Sequence, residues 1–518
     1  MTKQTFLQGT LILIAAGMIT RFLGFINRII VARLMGEEGI GLYMMALPTL
    51  FLVYTLTQFG LPIAISKRVA EAEAHGDLKK IKRILIISLT ITGTLSVIFL
   101  AGLILIAPIV ATKFLTDERT LYPLLAISPM VPISAVSSVI RGYFQGRQNM
   151  KPQSYAQVIE QVVRICCVSF LVKLFLPYGV EFAAAGAMFS VIVGELCSLF
   201  FMFRMFKMKK RIKLRADVLQ YIKSGRQTFN ELMSIALPGT GSRLVGSISN
   251  FLEPILVSQS LAIAGFHTVA ATKLYGSLTG YALPLLFMPT FITHSLAVAM
   301  VPNISEADAK QNKQLVHYRI HQAIRISFAS GALATVILML FSVPILEFMY
   351  GTSSASRFLV LMAPFFVMLY VQFPLNAALQ ALNFAKEAMW NSIISTGIKF
   401  IVLIIFATNP QFGIMGVALG MIVGVVLGTM LHMATLIKVI SFKLPWMDFL
   451  KMACLFSITW WAGKLLKQLI PGYADNLLVF LCTLTVLGTF YLVLLFQFKF
   501  LSVAELRQFP ILNRFTRK

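Results

Sequence analysis

The chain has 518 residues, 58% of them hydrophobic and 13% charged, with a mean hydropathy of +0.82. Such a composition cannot cover a water-soluble surface, which excludes a soluble enzyme or binding module and marks an integral membrane protein. The formal net charge of +25 is no nucleic-acid signal, because Lys and Arg are spread over short segments between apolar runs and form no single patch.

A helix needs roughly 20 residues to cross about 30 Å of hydrocarbon at 1.5 Å per residue. About fourteen such stretches are predicted, at 10–33, 43–64, 84–106, 121–141, 154–176, 183–205, 230–259, 270–300, 326–347, 358–382, 389–408, 414–436, 452–470 and 477–497. The first runs on through Arg21 and Arg28 with no small-residue cleavage site, so it reads as a retained helix and not as a signal peptide. Basic residues fill alternate connections: Lys67 to Arg83, Arg141 to Lys151, Arg204 to Arg226, Lys310 to Arg325, Lys438 to Lys451 and Lys499 to Lys518. The connections at Met35 to Ile40, Pro177 to Glu181, Asn409 to Gly413 and Pro471 to Asp475 are nearly free of them. The positive-inside rule then places both termini on the cytoplasmic side of the cell membrane, which requires an even number of spans.

The sequence reads twice. Gln4-Thr5-Phe6 leads to Arg21, and Gln227-Thr228-Phe229 leads to Arg243. Farther along, Pro129 and Pro364, Gln145 and Gln380, and Arg164 and Lys399 are each 235 apart, and Gly179, Gly186 and Gly194 match Gly413, Gly420 and Gly428 at 234. The expected fold is all-α, with two six-helix lobes related as parallel repeats and two extra C-terminal helices. The expected domains are 1–226 with a basic linker, 227–440, and 441–518. A cavity is expected between the lobes, and one chain holding both lobes needs no dimer, so a monomer is predicted.

Six cations fall inside predicted spans: Arg21, Arg28, Arg164, Arg243, Lys273 and Lys399. Each costs roughly 2.5 to 3.5 kcal/mol at the bilayer centre, so each requires a partner, a wet cavity or an anionic ligand. Arg21 and Arg243 lie mid-span and are the first choice for cavity cations; Arg28 and Lys273, nearer the outer side, complete the candidate substrate-binding set. Arg164 and Lys399 hold equivalent places in the two copies, and Glu160, four residues before Arg164, offers it a local partner. Glu253 and Glu195 are candidates for ion coupling, although neither has a second carboxylate at helical spacing.

Nucleotide, dinucleotide and metal motifs are missing, and no cofactor or metal is predicted. His317 and His321 share a helical face without an HExxH glutamate, and the five cysteines sit in spans without metal-ligand spacing. Pro48, Pro62, Pro238, Pro284, Pro289, Pro302 and Pro364 mark points where a helix is expected to kink or unwind.

Thr20-Arg21-Phe22-Leu23-Gly24-Phe25 with Val31-Ala32-Arg33 resembles the first helix of lipid II flippases in the multidrug/oligosaccharidyl-lipid/polysaccharide exporter superfamily. Gly39-Ile40-Gly41-Leu42-Tyr43, Gln58-Phe59-Gly60-Leu61-Pro62 and Arg141-Gly142-Tyr143-Phe144-Gln145-Gly146 make it more similar to the sporulation branch found in spore-forming bacilli. The resemblance implies a non-enzymatic flippase that moves a polyprenyl-pyrophosphate-linked cell-wall precursor by alternating access, for spore-cortex peptidoglycan synthesis. It also implies contact with membrane lipids, a polyprenyl-linked saccharide as cargo and cell-wall synthesis enzymes as partners. By that resemblance Arg21 takes the place of a cavity arginine, and Lys273 replaces one. Asn27, Leu52 and Val53 stand where the family has arginines, so the cation set is only partly shared. Two alternatives stay open: a membrane assembly factor that transports nothing, and a multidrug or cation antiporter.

Overall fold

A computed structural model describes residues 6–209, 225–442, 446–470, 472–498 and 500. Most of the basic linker that divides the two copies and most of the basic tail lie outside the described residues. The described chain is all-helical. That follows from its composition, since in hydrocarbon a helix satisfies every backbone polar group within the segment.

The helices are α1 (Phe6–Gln58), α2 (Leu61–Ala74), α3 (Leu78–Ile109), α4 (Leu121–Ile127), α5 (Met130–Gly146), α6 (Lys151–Phe175), α7 (Val180–Lys209), α8 (Arg226–Ile263) and α9 (Thr268–Gly276). They continue as α10 (Leu283–Phe287), α11 (Thr290–Ala309), α12 (Lys313–Leu340), α13 (Ser342–Tyr350), α14 (Ser356–Ala381), α15 (Ala385–Ala407), α16 (Ile414–Ile440), α17 (Trp446–Leu469) and α18 (Leu477–Gln497). Among the described residues nine helical stretches are long and apolar enough to cross a membrane. They become ten if the pair Thr268–Phe287 and Thr290–Ala309, bent by 53°, is a single span. The protein is a multi-pass membrane protein. Helices α6, α8 and α17 fall outside that set; α6 carries Glu160 and Arg164, and α8 carries Glu231, Arg243 and Glu253.

Several boundaries differ from the sequence expectation. The predicted loop from Met35 to Ile40 is a single-residue break at Gly36, whose φ of 67° and ψ of −171° suit only glycine, so the first two spans run on as α1. The basic stretch from Lys310 to Arg325 is already helix from Lys313, capped by Asn312, whose side chain accepts from the Leu315 amide at 3.0 Å. Asp77 caps α3 in the same way, accepting from the Lys80 amide at 2.8 Å. Of the prolines, Pro62 and Pro284 open helices at their first turn, where no backbone donor is lost, whereas Pro48, Pro302 and Pro364 lie inside α1, α11 and α14.

By internal contacts the chain divides into residues 1–280 and 281–518. The first unit takes in α8 and α9 together with α1 to α7, and its core joins Ile65, Val69, Ile81, Ile84, Tyr143 and Leu232. The second unit packs α12, α14 and α16 around Ile320, Ile324, Leu375, Leu379 and Leu436, with α17 and α18 against α12. Tyr491 of α18 donates its hydroxyl to the Ala329 carbonyl at 2.6 Å, so the last helix is tied to the bundle by a buried hydrogen bond.

Candidate functional site

A polar pocket of about 350 Å³ lies inside the first unit, lined by Tyr54, Thr55, Gln58, Gly60, Thr240, Arg243, Gly246, Ser247 and Asn250. Helical periodicity builds it. Arg243, Gly246, Ser247 and Asn250 follow an i, i+3, i+4, i+7 spacing and share one face of α8, while Tyr54 and Gln58 share a face of α1. Thr55 and Ser247 join the two walls through a hydroxyl–hydroxyl bond of 2.8 Å. The lining contains a guanidinium, amides and hydroxyls and no carboxylate, so it offers hydrogen-bond donors and positive charge to an anion.

Contacts tie the helices of the first unit together in two places along α1. Toward the Gly36 break, Arg119 pairs with Glu38 and, at 2.9 Å, with Asp117, while Lys273 reaches Glu38 at 3.4 Å and Thr272 donates to Asp117 at 2.8 Å. Burial pushes the Asp117 carboxyl up, but hydrogen bonds from Arg119 and Thr272 outweigh it and hold the group below its usual range. Backbones approach closely here: a methyl at Gly41 would fall on the Thr272 carbonyl, and one at Gly276 on the Glu37 carbonyl. Nearby, Ser258 of α8 bonds the Thr116 hydroxyl and donates to the Leu115 carbonyl. Toward the Gly60 turn, where φ is 65°, a Cβ would stand 2.6 Å from the Ala236 carbonyl oxygen and 2.8 Å from Thr240 Oγ1. Glu231 of α8 adds longer ion pairs there, to Arg68 at 3.7 Å and Lys80 at 3.8 Å.

Of the four cations expected in a cavity, Arg243 lines the pocket. Lys273 belongs to the Glu38 cluster. Arg21 and Arg28 sit on α1, seven residues apart and so on one face; both are exposed, and no carboxylate among the described residues pairs with them. Arg164 is bound to Glu160 on its own helix. Lys399, its counterpart, lays its stem along Gly424 and places its ammonium 4.6 Å from the Phe400 ring centroid. Glu195 binds Arg141, and Glu253 lies on α8.

Arg141 is the residue that sequence reading misplaced. The sequence predicts it at the start of a basic connection, but it lies within α5, with Nη2 at 2.8 and 2.9 Å from the two oxygens of Glu195 and 3.6 Å from Glu160. Tyr54, Gln58, Ser247 and Asn250 were missed as lining residues. The signal for the last two was present, as polar side chains one and two turns beyond Arg243 on the same helical face.

The sequence profile of the polysaccharide biosynthesis protein family matches residues 6–308, and the MatE profile matches residues 267–405. The chain belongs to the polysaccharide biosynthesis protein family. It is 53% identical to Stage V sporulation protein B of Bacillus subtilis (strain 168), covering 99% of both chains. It is 26% identical to Lipid II flippase MurJ of the same organism, over 82% of this chain and 81% of that one. Among solved structures, the inward closed conformation of Lipid II flippase MurJ superposes with a TM-score of 0.71 at 16% identity, covering 93% of this chain and 97% of that one. The fold is therefore that of the flippase.

Proposed function

We propose that the protein is a flippase for a polyprenyl-pyrophosphate-linked saccharide, a lipid II-like precursor of spore-cortex peptidoglycan, and that Arg243 binds the pyrophosphate. The observation that carries this reading is the pocket itself: one guanidinium among hydroxyls and amides, with no carboxylate in its lining. An anion there gains charge-assisted hydrogen bonds that strengthen as water is excluded. A carrier for cationic drugs needs the opposite sign of charge in its pocket.

In this reading the two copies, 1–226 and 227–440, act as lobes that rock about the pocket, and 441–518 is an appended pair of helices that meets the lipid tail. The Gly36 end faces outward and the Gly60 end inward, with both termini in the cytoplasm. The headgroup enters when α8 parts from α2 and α3 at the Gly60 end, and leaves when the Glu38, Arg119 and Lys273 cluster opens. No bond is made or broken. Arg21 and Arg28 extend the positive field along α1, so the cargo meets cations along its path. The likeness to Stage V sporulation protein B and to Lipid II flippase MurJ supports this choice of cargo.

The test is binding of a soluble undecaprenyl-pyrophosphate saccharide analogue to purified protein by calorimetry. Loss of a hydrogen bond to a charged group, about 1.5–3 kcal/mol, should weaken binding roughly 10- to 100-fold in Arg243→Ala, with thermal stability unchanged. Binding of equal strength by a folded Arg243→Ala would refute the assignment.

A further inference from the structure

The bond that joins the two walls of the Arg243 pocket has a definite direction. Thr55 donates its hydroxyl proton to the Phe51 carbonyl, one turn back on α1, at 2.8 Å, and its oxygen lies 2.8 Å from the Ser247 hydroxyl of α8. A hydroxyl carries one proton and two acceptor lone pairs. With the Thr55 proton on Phe51, the bond across the pocket forms by donation from Ser247. The reverse assignment would leave the Ser247 proton without an acceptor, because Ser247 has no second hydrogen-bond partner among the described residues.

Ser247 also stands one helical turn beyond Arg243, and both residues line the pocket. An anion with several oxygens, held at Arg243, spans the roughly 5–6 Å between side chains one turn apart and meets the Ser247 hydroxyl. Two acceptors then compete for one proton. Thr55 offers a neutral hydroxyl and the anion a charged oxygen, and hydrogen bonds to an ionised acceptor are roughly twice as strong as neutral ones. The Thr55–Ser247 bond is partly buried, so the low local dielectric enlarges that advantage. The anion wins the proton, and the two walls lose their bond.

We propose that Ser247 is a ligand for the pyrophosphate and that its bond to Thr55 is a latch between α1 and α8, released when the anion accepts the hydrogen bond in place of Thr55. No proton changes owner; one hydroxyl turns from the facing wall to the cargo. Arrival of the cargo thereby unties the helix that binds it from the helix opposite, which couples binding to the parting of the walls. The latch rests on the anionic-cargo reading of the pocket and adds to it what the cargo does on arrival.

Calorimetric binding of inorganic pyrophosphate to the full chain in nanodiscs tests the latch, because its two halves should act with opposite signs. Ser247→Ala loses the donor and should weaken binding roughly 10-fold, whereas Thr55→Val removes the competing acceptor and should tighten binding about 2- to 10-fold. In the Ser247→Ala background Thr55→Val should change nothing. Thr55→Ser, which keeps the acceptor, should not tighten binding, and Thr55→Ala replaces the valine variant if that one proves unstable. Hydrogen exchange at residues 51–58 should rise with pyrophosphate in wild type and be raised already without it in Thr55→Val. A bond that only holds the fold would shift binding in one direction whichever partner is removed. Weaker or unchanged binding by folded Thr55→Val, unchanged binding by Ser247→Ala, or exchange that ignores pyrophosphate would overturn the latch, while a loss of affinity in Arg243→Ala keeps the anion pocket. Unchanged affinity in Arg243→Ala, or no binding by wild type, would overturn both.

Discussion

The two copies pack their helices alike and bury different chemistry. In the first, Gly186 and Gly194 let α7 close on α6; in the second, Gly420 does the same for α16 on α15, and Gly428 brings α16 against Gln372 of α14. Arg141, Glu160 and Arg164 of the first copy correspond to Asn376, Ser395 and Lys399 at a shift of 235, and Glu195 corresponds to Thr429 at 234. The second set is nearly uncharged and locally satisfied. Ser395 donates to the Ser392 carbonyl at 3.0 Å, Thr429 to the Met368 carbonyl at 3.0 Å, and Asn376 accepts from Gln380 at 2.9 Å. The turns at Asp117 and Thr352, also 235 apart, differ in the same sense: each residue accepts from the amide two residues on, but Asp117 adds Arg119 and Thr272. The matched glycines thus set helix spacing in both segments, while the matched polar positions are charged in the first and, Lys399 apart, neutral in the second.

The difference is sharpest for Arg141 against Asn376. Arg141→Leu leaves two buried carboxyls without their shared cation and should cost about 3–5 kcal/mol. Asn376→Leu removes one neutral hydrogen bond and should cost about 1 kcal/mol. Thermal unfolding in detergent measures both; equal losses would break the comparison. The glycines come next. A methyl at Gly194 meets the fixed Glu160 carbonyl at 2.8 Å, whereas at Gly428 it meets the mobile amide end of Gln372 at 2.6 Å. Gly194→Ala should therefore destabilise by about 1–3 kcal/mol, and Gly428→Ala by less, in the same assay.

A smaller effect depends on pH. Asp117 is held below its ordinary value, so its contribution to stability is complete above the unfolded pKa of about 3.9 and is lost as pH falls through the depressed folded value. Hydrogen exchange in the Asp117 turn should rise with acid in that window, beyond the change in intrinsic rate. The Thr352 turn has no such group and should show no such step. Asp117→Asn should abolish it.

The all-helical membrane fold and the presence of cations within apolar helices were legible because each is local, being a matter of composition or of a single residue in its span. The partners were not. Glu160 and Glu195 show no helical spacing because they meet across two helices, and Arg141 resembles a loop residue until α5 is seen to run on to Gly146. Lys273 reads as a cavity cation, and only the fold brings Glu38 to it, across the long separation between α1 and α9. Charge in a span is visible in sequence; the tertiary contact that answers it is not.

The central claim is that Arg243 and the α1 cations serve an anionic lipid headgroup. Its most direct test is flipping of labelled lipid II in proteoliposomes by wild type, Arg21→Ala and Arg243→Ala, each verified as folded. The account predicts flipping by wild type and a loss of roughly 10-fold or more in Arg243→Ala, with a loss in Arg21→Ala as well. Wild-type rates in both folded variants would contradict it.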